Sequence, residues 1–240
     1  MTAPLSPSRF VFPKWTNYVL PVVLVAAAMG APYQILLVGY GLSPVTLNSG
    51  YQPSQPIPYS HELHVSQLGI DCRYCHNTVE TAAFAAIPSA DTCMKCHHAV
   101  RKNSPKLQPL HDAFDSGEPV KWVQVHDLPD YSYFDHSAHV NKGVSCVSCH
   151  GRIDRIGEEG VFQQEPLNMG WCLKCHRDPA PNLRPVDEVT NLAWGAELSD
   201  DQRRAEGMKQ AIAVLGKDLK DPAQFAQLHA QMQDCSKCHR

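Results

Sequence analysis

Every cysteine in this 240-residue chain belongs to a C-x-x-C pair that is followed at once by a histidine. The pairs are Cys72 with Cys75, Cys93 with Cys96, Cys146 with Cys149, Cys172 with Cys175, and Cys235 with Cys238; the histidines are His76, His97, His150, His176 and His239. C-x-x-C-H is the attachment pattern of c-type haem: two thiols form thioethers to the macrocycle, and the adjacent imidazole is held where it can ligate the iron. The expected cofactors are therefore five covalently bound haem c, with the ten cysteines as attachment points and the five histidines as proximal metal ligands. A disulfide framework has no use for a histidine after every second cysteine. Zinc ribbons combine C-x-x-C pairs two by two, which would leave one pair unmatched and five histidines idle.

Five macrocycles would supply much of the apolar surface that folding needs, so a conventional core has little room to form. With 19 prolines in the chain, the expected fold is mainly α with large irregular content. It is a multihaem cytochrome c organised around its haems, with short helices at each C-x-x-C-H and one N-terminal transmembrane helix. Net charge is −3 with a pI near 6.5, which offers no basic field for nucleic acid.

From Trp15 to His61 no Asp, Glu, Lys or Arg occurs, and the run from Tyr18 to Tyr40 is mostly apolar. About 20 apolar residues span a hydrocarbon core of about 30 Å as a helix, so residues 18–40 read as a single-pass membrane anchor. Arg9 and Lys14 precede it, which places residues 1–17 in the cytoplasm and the haem region on the periplasmic or extracytoplasmic side of the cell membrane. A cleaved signal peptide is the competing reading, with Ala26-Ala27-Ala28 as its small-residue site. Apolar character continues past those alanines, which favours the anchor. Residues 41–60, rich in Pro and Ser and free of charge, read as a linker.

The haem region repeats itself. His61-x-x-His64 and the attachment sites at 72–76 and 93–97 recur as His136-x-x-His139 and the sites at 146–150 and 172–176, a shift of about 75 residues that indicates a duplicated two-haem module. The modules are residues 61–101 and 133–180; residues 102–132 read as a connecting loop. Residues three apart lie on one face of a helix, so each H-x-x-H pair can send imidazoles to two neighbouring irons. The phrase FDHSAHVNKGVSCVSCH resembles those of small low-potential multihaem cytochromes, in which the first histidine serves the haem that follows and the second serves another. That resemblance implies His61 for the haem of Cys72 and Cys75, and His136 for that of Cys146 and Cys149. His64 and His139 then serve the second haem of each module. For the fifth haem the sixth ligand is either His98 or Met169, and we favour Met169: it stands beside an attachment site in NMGWCLKCH, and a thioether ligand raises potential relative to imidazole. His111, His126 and His229 lack a counterpart in the repeat and read as neighbours of ligands or surface residues.

Residues 181–240 hold the fifth site and a helix with its own punctuation. Ser199 with Gln202 forms a capping box, Asp200 and Asp201 suit its first turn, and Gly216 follows its last apolar position. Ala205, Met208, Ile212 and Leu215 share one face, which is expected to pack on the haem domain.

The number and order of the sites, the N-terminal anchor, the H-x-x-H modules, the string MGWCLKCHR at 169–177 and the ending CSKCHR resemble the pentahaem cytochrome c subunit of alternative complex III. The resemblance implies an electron-transfer subunit of a quinol:electron-acceptor oxidoreductase, with no substrate chemistry of its own. Its partners would be the membrane, an iron-sulfur protein, integral quinol-binding subunits and a monohaem cytochrome c, with electrons passing toward a periplasmic cytochrome or terminal oxidase. A stand-alone quinol dehydrogenase of the small membrane-anchored kind is the alternative. The linker between Tyr40 and Cys72 disfavours it, since its first haem would stand away from the bilayer. A catalytic oxyanion reductase would need an open iron, sometimes with lysine as proximal ligand, and no C-x-x-C-K occurs.

Overall fold

The computed structural model describes residues 12–41 and 48–239. The chain divides into two units, residues 1–46 and 47–240. Within the first, α1 (Thr16–Gly41) is a 26-residue helix with no buried residue, and Pro21 and Pro32 lie inside it. It is long and apolar enough to cross a membrane. Proline is tolerated there because neighbouring groups in a bilayer can satisfy the freed carbonyls. Arg9 and residues 42–47 of the expected linker lie outside the described residues.

The second unit is helical and irregular, in agreement with the expected fold class. Its helices are α2 (Cys72–Cys75), α3 (Ala90–His97), α4 (Gln108–Ser116), α5 (His136–Val140) and α6 (Val147–His150), then α7 (Met169–Arg177), α8 (Asp200–Leu215), α9 (Pro222–Met232) and α10 (Cys235–Cys238). Among the described residues the only β pairing is an isolated antiparallel bridge between Val144 and Leu183. Helices of four or five residues are too short to nucleate themselves, and acidic caps hold several of them. Asp71 accepts from the Arg73 amide at 2.8 Å ahead of α2, Asp135 from the Ser137 amide at 2.8 Å ahead of α5, and Asp234 from the Ser236 amide at 3.0 Å ahead of α10. Two of these caps stand directly before the first cysteine of an attachment site.

The segment 102–132, expected as a connecting loop, contains the nine-residue α4 (Gln108–Ser116), which carries Pro109 in its first turn and buries Leu110 and Ala113. Its apolar face packs on α3. The loop reading missed it because the helix is short and two of its nine positions suffice to seat it. The C-terminal helix α8 carries both halves of the capping box, with Gly216 left-handed at φ 62° after it. Its buried positions, however, are Gly207 and Ala211, while Ala205 and Ile212 are exposed. This corrects the face expected from Ala205, Met208, Ile212 and Leu215. The helix approaches the turn Ala180–Asn182 so closely that only small residues fit, and a methyl group on Gly207 would collide with the Ala180 carbonyl.

Few apolar side chains are buried; Val140, Ile156, Ala180, Leu183, Val189 and Ala211 are among them. Hydrogen bonds between the repeats tie them together: the His136 amide donates to the Ala83 carbonyl at 3.1 Å, the Glu62 amide to the Ile156 carbonyl at 2.9 Å, and the Asn141 side chain to the Glu80 carbonyl at 2.8 Å.

Gly207→Ala should destabilise the folded unit by ~1–3 kcal/mol through overpacking against Ala180, read as a lowered denaturant midpoint. Gly170→Ala, where an added methyl would make only ordinary contact, serves as the control and should shift that midpoint far less.

Candidate haem-binding sites

All ten cysteines are unpaired thiols, so each C-x-x-C pair is chemically free to form two thioethers. Helix geometry sets the rest: C-x-x-C occupies about one turn, and the following histidine lies at its C-terminal end. Among the described residues no three or more His, Cys, Asp and Glu side chains converge as a metal cluster would require. Imidazoles instead meet in pairs.

His64 and His97 have ring centroids 6.2 Å apart, His136 and His150 6.4 Å with planes 7° from parallel, and His139 and His176 6.1 Å. An imidazole nitrogen sits ~2 Å from a metal that it ligates and the ring centre about 1 Å behind it, so two rings facing across one ion stand ~6 Å apart. The three pairs have the spacing of two axial ligands on one iron. His61 lies within electrostatic reach of His76.

The opposite edge of nearly every ring is fixed by the backbone. Nδ1 of His76 donates to the Ala86 carbonyl at 2.7 Å, of His97 to Val100 at 3.1 Å, of His176 to Met232 at 2.8 Å, and of His239 to Tyr131 at 2.9 Å. Nδ1 of His64, His136 and His139 donates likewise to the carbonyls of Ser60, Ala83 and Asp135 at 2.7–2.8 Å. A carbonyl can only accept, so the proton is on Nδ1 and the lone pair on Nε2 is turned toward the facing ring. His150 differs, since its Nδ1 meets Nε2 of His126 at 3.3 Å. His61 Nδ1 is buried without a partner. Burial, together with neighbouring imidazoles, lowers the pKa of His61 to about 4 and that of His150 to about 3. Burial lowers that of His139 as well. Such imidazoles are neutral at pH 7, the state a metal requires of them.

An aromatic side chain precedes each H-x-x-H by two residues and packs identically in both repeats. Tyr59 stands edge-on to His61 at 4.8 Å and stacks on His64 at 4.5 Å; Phe134 stands edge-on to His136 at 4.8 Å and stacks on His139 at 4.5 Å. Sequence reasoning passed over these rings, although their matched place in YSHELH and FDHSAH was visible. The local backbone differs: His61 caps a π-helical turn, Glu62–Gln67, whereas His136 opens α5.

The remaining candidates are scattered. Met169 opens α7 and is 66 % exposed. His98 follows α3, with Nδ1 donating to the Met94 carbonyl at 3.0 Å. The ring nearest His239 is Tyr131, centroids 5.9 Å apart. His229 stacks on Phe225 in α9, and His111 in α4 has a buried Nε2 without a partner.

The attachment sites follow a spatial order unlike their order in sequence. Cys72 and Cys146 are near enough to perturb each other's thiols electrostatically. Cys75 interacts electrostatically with Cys93, Cys149 with Cys172 and Cys175, and Cys172 with Cys238. The series therefore runs second, first, third, fourth, fifth, with the two repeats joined through their first sites.

No protein-family model matches the chain. The menaquinone reductase multihaem cytochrome c subunit of Nitratidesulfovibrio vulgaris is 36 % identical to it over 161 residues, which cover 67 % of this chain and 68 % of that protein. The chain belongs to that family of multihaem cytochromes c. The donor set fits what such a cytochrome carries: covalently bound haem c needs free thiol pairs and neutral, oriented imidazoles, and this cytochrome presents both.

His139→Ala should leave covalent attachment intact, because Cys172 and Cys175 are untouched, and should abolish one low-spin component in the electron paramagnetic resonance spectrum of the oxidised protein. An unchanged spectrum would show that His139 faces no iron.

Proposed function

We propose that this cytochrome is a membrane-anchored pentahaem subunit that relays electrons within a complex linked to the membrane quinone pool. The observation that carries the reading is the unbroken spatial series of five C-x-x-C-H sites, with paired imidazoles along it. In this reading the axial pairs are His61 with His76, His64 with His97, His136 with His150, and His139 with His176. His239 holds the fifth iron, and Met169 is the favoured sixth ligand there. Haem c supplies at each site an iron that takes up and gives up a single electron. The chain's residues do the rest: thioether-forming cysteines fix spacing, backbone carbonyls fix imidazole tautomers, and the half-buried rings of Tyr59 and Phe134 pack against the ligands.

The second and fifth sites end the series, and partners would exchange electrons there. Helix α1 would anchor the subunit as a single pass, with Lys14 on the cytoplasmic side and the cytochrome unit across the membrane. The resemblance carried by MGWCLKCHR favours a quinol-oxidising assembly of the alternative complex III kind, with an iron-sulfur protein, integral quinol-binding subunits and a monohaem cytochrome c. The name of the relative in Nitratidesulfovibrio vulgaris favours the opposite direction, toward menaquinone. In either direction the cytochrome would work between a quinone site on another subunit and a soluble redox partner.

Purification of the intact complex by a tag on this chain decides between them. Reduction of its haems by a menaquinol analogue, with onward transfer to a soluble cytochrome, is the expected result. Haems reduced only from the soluble side and reoxidised by menaquinone would reverse the direction. Rapid quinol oxidation by this chain alone would instead make it a self-sufficient dehydrogenase.

A further inference from the structure

His150 is held differently from every other histidine of an attachment site. His76, His97, His176 and His239 each donate from Nδ1 to a backbone carbonyl. At His150 the partner of Nδ1 is a side chain, Nε2 of His126, 3.3 Å away. The two rings meet edge to face, with centroids 4.4 Å apart and planes at 79°. His76 occupies the same place in the first repeat, and its Nδ1 lies 2.7 Å from the Ala86 carbonyl. The first sites of the two repeats, alike in sequence, thus differ in what grips the proximal ring.

The segment that carries His126 is itself fastened. Gln124 donates from Nε2 to the His126 carbonyl and to Asp127 Oδ1, both at 3.1 Å. Just before it, Val123 is bonded twice to the Gln55 side chain: its amide donates to Oε1 at 2.9 Å, and its carbonyl accepts from Nε2 at 2.8 Å. His126 therefore reaches His150 from a braced loop. The contact is compatible with a ligated iron, because a metal takes the Nε2 lone pair of His150 and leaves Nδ1 with its proton. Nε2 of His126 can accept that hydrogen bond only while unprotonated, so His126 carries its own proton on Nδ1.

We propose that His126 is a positioning residue of the third site, Cys146–Cys149–His150: its Nε2 is the acceptor that fixes the tautomer and ring plane of His150 and tunes the iron bound there. A hydrogen bond accepted from Nδ1–H pushes electron density toward Nε2 and makes the imidazole a more basic ligand. A more basic ligand favours the oxidised, more highly charged iron, so the bond holds the third site at a lower potential than an unbonded His150 would give. The inference rests on the haem reading above. A side chain can be exchanged where a backbone carbonyl cannot, and His150 alone among the five proximal histidines has a grip that substitution removes.

Potentiometric titration of the full-length cytochrome, followed by electron paramagnetic resonance, tests this. The third-site component is identified as the one that His136→Ala alters. His126→Phe keeps an aromatic ring in place and removes the acceptor; it should move that component to higher potential and leave the others where they are. His126→Gln returns an acceptor oxygen near the position of Nε2 and should keep most of the original potential. Should His126→Phe yield no holoprotein, His126→Asn decides the matter, since its shorter amide falls short of His150 and the same rise is expected. The inference is overturned if the variant without an acceptor leaves the third-site component unmoved, if His126→Gln shifts it equally, or if all components move together as a general structural change would make them. Outright loss of a low-spin component in His126→Phe, as removal of an axial ligand would cause, overturns it as well. A wild-type pyridine haemochrome assay run beside these titrations keeps the two readings apart, because a deficit of haem there counts against the pentahaem reading and not against His126.

Discussion

Two imidazoles facing each other at about 6 Å, all but His150 with the far nitrogen tied to a backbone carbonyl, are the constraint on which this molecule turns. A ring held by Nδ1 has one tautomer and a defined aim, and a facing ring held in the same way leaves room for a single metal ion. This explains why so much of the backbone is irregular. The carbonyls of Ala83, Ala86, Val100, Tyr131 and Met232 are available to side chains because no regular helix or strand consumes them. Irregularity here is how acceptors are delivered to the imidazoles.

The same bonds also join distant parts of the chain. His136 is oriented by a carbonyl in the first repeat, His176 by the end of α9, and His239 by the segment ahead of the second repeat. A binding site in this cytochrome is therefore seldom local, and correct placement of one ligand depends on folding around the next. With few buried apolar side chains, cofactor attachment and folding should be one cooperative event. The first sites of the two repeats meet where Cys72 approaches Cys146, and the fifth site extends the series.

What could be read from the sequence was what is encoded within a few residues. The C-x-x-C-H sites, the membrane-length helix and the capping box at Ser199 are local patterns with local physical causes, and so is the mainly helical, irregular fold class. Features that arise when separated segments dock could not be read in this way. The face of α8 was misassigned because hydrophobicity pointed to Met208 and Ile212, while packing against Ala180 selects residues by smallness. Helix α4 was passed over because nine residues with a proline in the first turn make a weak pattern. The spatial order of the sites and the contact of His126 with His150 depend on how the repeats meet. No residue spacing encodes that.

The occupancy of the cysteines carries the central claim. Intact-mass measurement of the chain purified under denaturing conditions from cells that mature c-type cytochromes, after treatment with a thiol-alkylating reagent, tests it directly. The account predicts a mass increased by five haems, with none of the ten cysteines alkylated and a haem on each of the five C-x-x-C-H peptides. A chain at its bare polypeptide mass, with its thiols free to alkylate, would contradict it.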